Sequence, residues 1–398
     1  MIKKTLKEAI RYVLYFAKRK RYSIWIDKSI AMIEPVRKDC SKEYFFGYYD
    51  RSPERKGRIL FHEMNLDKQL VNVVVRDISK GAETLIATVP SFNWQMGCRT
   101  LWIDDDIISF NDFDGTKYVC KWFSTSRNEV VKTFDKPLQD YSAQGKFFIG
   151  VNYQRLRSFA KEYGYYCLPE MNTSEFDNYK EDGLWKVDIE SGQSELLISL
   201  ADIIAFESKN VKSGGKHFVN HVMINPNGKS FIFIHRYYVG NERNDRLFLY
   251  ENGKLKSLFA GRIHSHYCWI NEKFIFGYGD YQGHRGFHGI DIDSGRVTHY
   301  PELDAAHPRD GHPTCFGDWV GIDDYPDLSR MQPLILYNLK TKHIYKLGEF
   351  FHDLKHVDRT RCDLHPRFAS DGSGIYIDTI YSGSRQLCKI NINWKSLS

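Results

Sequence analysis

From about residue 44 the chain alternates short apolar runs with turn residues at a near-constant spacing. The stretches 59–62, 71–75, 106–110, 118–123, 147–151 and 184–189 have strand length and are rich in β-branched and aromatic residues. Turn signals fall between such runs, at Asn225-Pro226-Asn227-Gly228, Glu251-Asn252-Gly253, Asp293-Ser294-Gly295 and Ser370-Asp371-Gly372. The pattern divides into seven units, 45–90, 91–136, 137–200, 215–260, 261–303, 307–350 and 360–395. Units of 40 to 50 residues, each holding about four strands, are the mark of a β-propeller. The expected fold is therefore all-β, a seven-bladed β-propeller over 44–398. A basic amphipathic helix and a linker occupy 1–43, and residues 30–33 offer the strand that closes the last blade.

Four histidines stand at one position of this repeat: His221, His266, His312 and His365, separated by 45, 46 and 53 residues. Each precedes or enters an apolar run. If each starts the innermost strand of its blade, all four point into one central funnel. Four imidazoles there suit a metal site or a proton-transfer site. Alternate residues of a strand share a face, so His264, Asp310 and Asp363, each two residues upstream of one of these histidines, are possible added ligands. Mixed imidazole and carboxylate ligands fit Mn²⁺ or Zn²⁺, with Ca²⁺ a further option. In the early units the same position is taken by Tyr49, Gln95 and Tyr141, again 46 apart. The 80-residue step from Tyr141 to His221 exposes an insertion at about 153–182. It holds Arg155, Arg157, Tyr163, Tyr165 and Tyr166, and its place between second and third strands puts it over the funnel mouth as a lid.

Composition changes the picture in two places. Aromatic residues make up 15% of the chain, which suits packed sheets and sugar-stacking surfaces alike. Residues 1–21 hold eight Lys/Arg against Glu8 alone, leaving 48 basic and 49 acidic residues elsewhere. The net charge of +6 thus comes from the N-terminus, and the body is no general nucleic-acid surface. Ile2, Leu6, Ile10, Val13, Leu14 and Ala17 recur at helical spacing among those charges, as in a helix resting on an anionic membrane or a partner, or one docked on the propeller with its charged face in solvent. Glu8 and Arg11 break the apolar run that a signal peptide needs, and no stretch of about 18 apolar residues exists to span a bilayer. Eight scattered cysteines without a C-x-x-C pair favour free thiols in a reducing compartment. The expectation is a cytoplasmic protein, peripheral to the inner face of the membrane.

The stretches His221-Val222-Met223-Ile224-Asn225-Pro226, Asp245-Arg246-Leu247-Phe248, His266-Tyr267-Cys268-Trp269 and His365-Pro366-Arg367-Phe368 resemble the oligogalacturonate lyases, seven-bladed propellers related to TolB-type propellers. The resemblance covers mainly residues 215–395. It implies His221 as general base in an H-V-x-F-S-P-like motif, and His266 and His365 as metal ligands. The family's H-x-H-P motif reads Asp363-Leu364-His365-Pro366 here, so one ligand histidine is a carboxylate, and the family's upstream glutamine is Thr360. His312 or Gln95 is available to complete the shell. The family's assisting arginine has no direct counterpart, and Arg236, Arg99 and Arg361 are the stand-ins.

The implied chemistry is metal-assisted β-elimination on an acidic oligo- or polysaccharide containing uronate. A uronate C5 proton becomes removable when the adjacent carboxylate is neutralised, and a histidine near neutral pKa suits the base. His221, Arg236 and Tyr141 are the catalytic candidates. Tyr49, Gln95, Arg99 and Arg361 are the substrate-binding candidates, with Tyr49 part of the aromatic run Phe45-Phe46-Gly47-Tyr48-Tyr49. His266, His312, His365 and Asp363 are the metal candidates. Reprotonation on the opposite face would instead make a C5-epimerase, and a non-catalytic propeller binding glycan or protein is the competing class. No Walker loop, dinucleotide fingerprint or G-x-S-x-G elbow is present.

Overall fold

The computed structural model describes residues 12–397 apart from 40, 66–67, 207–211 and 213. Residues 1–11, and with them most of the expected basic helix, lie outside the described residues. The chain is helical over 12–18 and then enters a ring of seven antiparallel sheets. Each blade is a meander whose first strand is innermost. Blades one to three run from Tyr44–Phe45 to Glu83–Val89, from Leu101–Trp102 to Glu129–Phe134, and from Leu138–Ser142 to Ser194–Ser199. Blade four begins at Lys216–Ile224, blade five at His264–Trp269, blade six at Pro313–Phe316 and blade seven at Arg367–Phe368. No helix among the described residues is long and apolar enough to cross a membrane.

Alternating side chains on both faces of each sheet pack against the neighbouring blades, so the core is a series of layers between sheets rather than one nucleus. Leu101, Cys120, Trp122, Phe134 and Phe148 fill the layer between blades two and three, and Phe276, Phe287, Val320, Ile335 and Tyr337 that between blades five and six. The large layer of blades three to five also takes in Tyr153, Leu156 and Tyr165 from the insertion.

The N-terminus closes the ring twice. Ala31–Pro35 pairs antiparallel with Gln386–Ile392 as the outer strand of blade seven, with Ala31 opposite Ile392. Ile24–Ile26 pairs with Ile344–Phe351 as a fifth strand on blade six. Near the axis the seam is polar. The Asp378 carboxylate accepts from the Phe46 and Gly47 amides at 2.9 Å each and pairs with Arg367, which also donates to the Gly47 and Tyr48 carbonyls. Gly47 has φ +114°, and a Cβ there would sit 2.7 Å from the Met96 carbonyl carbon, so only glycine fits this crossing.

Candidate functional site

The four histidines converge. His221 and His266 lie within the innermost strands of blades four and five, and His312 and His365 lie just before those of blades six and seven. Ring centroids are 5.3 Å apart for His221–His266, 4.0 Å for His266–His312 and 4.3 Å for His312–His365. Backbone irregularity aims them. The ladder of blade four shifts register between Asn220 and Met223, and that of blade five between His264 and Tyr267. His221 and His365 both adopt left-handed backbone, φ 51° and 44°. That conformation costs a non-glycine residue of order 1–3 kcal/mol and gathers at functional sites.

Outer partners fix three of the rings. The Asp323 carboxylate accepts from the His312 amide at 2.6 Å, from His312 Nδ1 at 2.9 Å and from the His365 amide at 2.9 Å. Asp310 lies 3.1 Å from His266 Nδ1, and the Tyr48 hydroxyl bonds His221 Nδ1. In the tautomer that carries its proton on Nδ1 and donates outward, each of these rings turns an Nε2 lone pair inward. The Nε2 atoms of His221, His312 and His365 are solvent-inaccessible and have no hydrogen-bond partner. Buried polar atoms are rarely left so. The ligand atoms of His312, Asp363 and His365 lie within 4.8 Å of one another. Two imidazoles and a carboxylate are a donor set for Mn²⁺ or Zn²⁺. Ca²⁺, which takes all-oxygen shells, fits it poorly.

Burial and neighbouring positive charge, from His266 and Arg236, hold His221 well below the ordinary histidine range. Burial and the charge of His312 do the same for His365. Burial, aided by His312, lowers His266 as well. Burial also opposes the charged form of His312, but Asp323 and Asp363 outweigh it and its pKa is raised. Three of the imidazoles are thus held toward the neutral form, while the carboxylates beside His312 hold it toward the charged form, a charge that a cation on its Nε2 would replace.

The remaining candidates divide. Tyr49 is buried on the axis, its ring 5.3 Å from His312 and 5.8 Å from His266, its hydroxyl bonded to the Tyr267 backbone. It forms the floor of the chamber and lines a separate cavity of about 510 Å³ on its other side. Arg236 is clamped by Asp245 at 2.7 Å and stands close enough to depress His221. Arg361 chelates Asp363 at 2.7–2.9 Å, and Gln95 braces it by donating to its carbonyl.

Three expectations are corrected. Tyr141 lies near the end of its inner strand rather than at the start. Its ring packs on Trp122 and faces the cavity beyond Tyr49, because the 46-residue step matches sequence distance and not position in the blade. Arg99 spends its guanidinium on Asp50 and the Gln139 carbonyl, under the Tyr48 ring, so it supports the site instead of meeting substrate. His264 and Asp310 do not join their neighbours as ligand pairs. The bulge breaks the alternation, so His264 turns to Tyr267 and Phe259, while Asp310 serves His266 on the adjacent blade.

Tyr48, Asp323 and the details of the cover are what sequence reasoning missed. Residues 151–182 lie between the second and third strands of blade three. Asn152 caps the helix Tyr153–Phe159, Arg155 pairs with Asp182 in the interior, and Tyr153 stacks on Tyr165 at 4.1 Å. So anchored, the insertion brings Tyr163 edge-on to His221 at 5.4 Å and near Tyr48, and Asn93 holds the Tyr163 carbonyl. Beside it a cavity of about 190 Å³ is lined by Phe92, Trp94, Lys161, Tyr166 and Arg359. The Arg359 guanidinium lies 3.6 Å from the Tyr166 ring centroid.

No protein-family model matches the chain, and no curated protein matches it in sequence. Solved structures do. An oligogalacturonate lyase in complex with manganese superposes with TM-score 0.66 at 13% identity, covering 96% of this chain and 98% of that one. An oligogalacturonate lyase from Vibrio parahaemolyticus gives 0.63 at 13% identity, over 93% and 96%. A prolyl endopeptidase gives 0.54 at 11%, over 90% of this chain and 51% of that one. The chain is therefore a seven-bladed β-propeller similar in fold to oligogalacturonate lyases along nearly its whole length, well beyond the 215–395 region where sequence motifs carry the resemblance.

Proposed function

We propose that this protein is a carbon–oxygen lyase that cleaves an acidic, uronate-containing glycan by β-elimination. The observation that carries the proposal is the convergence of four buried imidazoles with three unpartnered Nε2 atoms beside Asp363. Two of its fold neighbours are oligogalacturonate lyases, one of them in complex with manganese.

His312, His365 and Asp363 would hold a divalent ion, Mn²⁺ before Zn²⁺, with His266 adjoining. When bound, the ion neutralises the uronate carboxylate and so acidifies the neighbouring carbon. His221 takes the C5 proton on Nε2, and its depressed pKa keeps that atom unprotonated at neutral pH. The C5–H electron pair becomes the C4–C5 double bond as the C4–O bond breaks, and the departing oxygen takes up a proton. Tyr48 fixes the ring of His221, Arg236 adds positive charge beside it, and Tyr163 keeps water off. The cavity beside Tyr163 offers a further sugar ring the aromatic faces of Trp94 and Tyr166, and offers its carboxylate Lys161 and Arg359 against Glu162.

A screen of uronate-containing polysaccharides, read by the absorbance of the unsaturated product, tests the proposal. Turnover that depends on added Mn²⁺ supports it. Conversion without the chromophore, but with inversion at C5, would make the protein an epimerase instead.

A further inference from the structure

Twelve large hydrophobic side chains are exposed among the described residues, and half of them lie between positions 12 and 32: Tyr12, Val13, Phe16, Tyr22, Trp25 and Met32. Val13 and Phe16 are 68% and 59% exposed. The same segment carries Lys18, Arg19, Lys20 and Arg21, and residues 1–21 hold eight basic residues against one acid. Exposed apolar side chains scattered singly need no explanation, but a patch rimmed by one sign of charge marks an interaction surface.

The segment is fixed to the propeller. Tyr15 packs on Phe351 at 5.9 Å, the Ser23 carbonyl accepts from the Phe351 amide, and Lys20 and Tyr22 both bond Glu349. With Tyr15 turned inward, Tyr12, Val13 and Phe16 fall within about 100° of the helix circumference and face out. Phe351 ends the fourth strand of blade six, from which the chain crosses to His365. The patch therefore sits at the rim of the face that bears the histidines.

We propose that this N-terminal clasp seats the protein on an anionic lipid surface. The basic residues meet the headgroups and Tyr12, Val13 and Phe16 enter the boundary of the acyl region, as amphipathic interfacial helices do. Charge complementarity selects this occupant: residues 1–21 carry a net excess of seven positive charges in sequence, whereas the rest of the chain is almost neutral. The proposal stands apart from the lyase reading, since it needs no turnover.

Co-sedimentation of the full chain with vesicles tests it, comparing phosphatidylcholine alone with an equimolar mixture of phosphatidylcholine and phosphatidylserine. The expected result is binding to the mixed vesicles at least about tenfold stronger, weakening as salt is raised. Lys18→Glu with Arg19→Glu, and separately Val13→Ser with Phe16→Ser, should each lower that binding about tenfold, with the melting temperature unchanged. In Phe16→Trp the indole emission should shift to the blue on the mixed vesicles. Equal binding to both vesicle types, wild-type binding by either double variant, or self-association through the patch without lipid binding would overturn the proposal.

Discussion

Asp323→Asn tests the chamber at its most heavily used support. The carboxylate of Asp323 is almost wholly buried and accepts three hydrogen bonds, two from the backbone amides that set the approach of His312 and His365 and one from His312 Nδ1. Asparagine keeps one acceptor oxygen and turns an NH₂ group toward a donor. Loss of an outer partner of this kind lowers metal affinity about 10- to 100-fold, or about 1.4 to 2.8 kcal/mol. At least one buried donor also loses its acceptor, which costs about 1–3 kcal/mol of stability and a few degrees of melting temperature. Asp310→Asn is the control. Asp310 makes its bond to a single ring, His266, and is 18% exposed, so water can replace the lost oxygen and the loss should stay under about tenfold. Competition titration of Mn²⁺ against a chelator, with thermal melts in parallel, reads both quantities. If Asp323→Asn binds Mn²⁺ as tightly as wild type, Asp323 does not orient the centre. If Asp310→Asn is the more damaging change, the centre lies at His266 and not between His312 and His365. If the wild type has no affinity for Mn²⁺ or Zn²⁺, the metal reading fails.

His221→Ala should lower turnover about 10²- to 10⁴-fold and leave the ion bound, whereas His365→Ala should lose both; full activity in His221→Ala would remove it as the base. Arg359→Ala should raise KM for acidic oligosaccharides and leave kcat nearly unchanged, because Arg359 lines the adjoining cavity and not the chamber; a fall in kcat alone would contradict this. Glu349 is driven down to about 2 although burial opposes its charge, because Lys20, Lys346 and Tyr22 favour the carboxylate. A depressed carboxylate adds stability above its unfolded pKa of about 4.3, and that stability is lost as pH falls toward 2. Melting temperature should therefore fall more steeply across that window in wild type than in Glu349→Gln, and equal slopes would show that the clasp contributes nothing.

Much of the fold was legible because a propeller repeats its physics. The turns at 225–228, 251–253, 293–295 and 370–372 appear where expected, and each unit from 216 onward matches one sheet. The histidines were legible for the same reason: each lies in or just before an innermost strand, and strands at that position face one axis. Tyr141 misled because equal sequence spacing is not equal depth in a blade once loop lengths differ. Asp323 was hidden because it belongs to the second strand of blade six, yet it serves His312 of its own blade and His365 of the next. Contacts between blades leave no mark in the period of either. Tyr48 stood in a visible aromatic run, but its bond to His221, 173 residues away, depends on the closed ring.

Asp363 stands where this chain departs from the motif it resembles. In the resembling motif two histidines flank one residue. Here the first is Asp363, and the structure gives it two claimants, the Arg361 guanidinium at 2.7–2.9 Å and the ligand cluster of His312 and His365. Burial disfavours the Asp363 anion, but Arg361 and His312 more than offset this, so the carboxylate is charged. A carboxylate shared with arginine is a weaker donor to a cation than a free one, because part of its charge is already compensated. It also fixes a positive group within reach of the chamber, which a histidine in its place would not. On the proposed reaction, an arginine-bound carboxylate in place of the motif's imidazole would set a guanidinium beside the anionic sugar, and Arg236, held by Asp245, would do so on the side of His221.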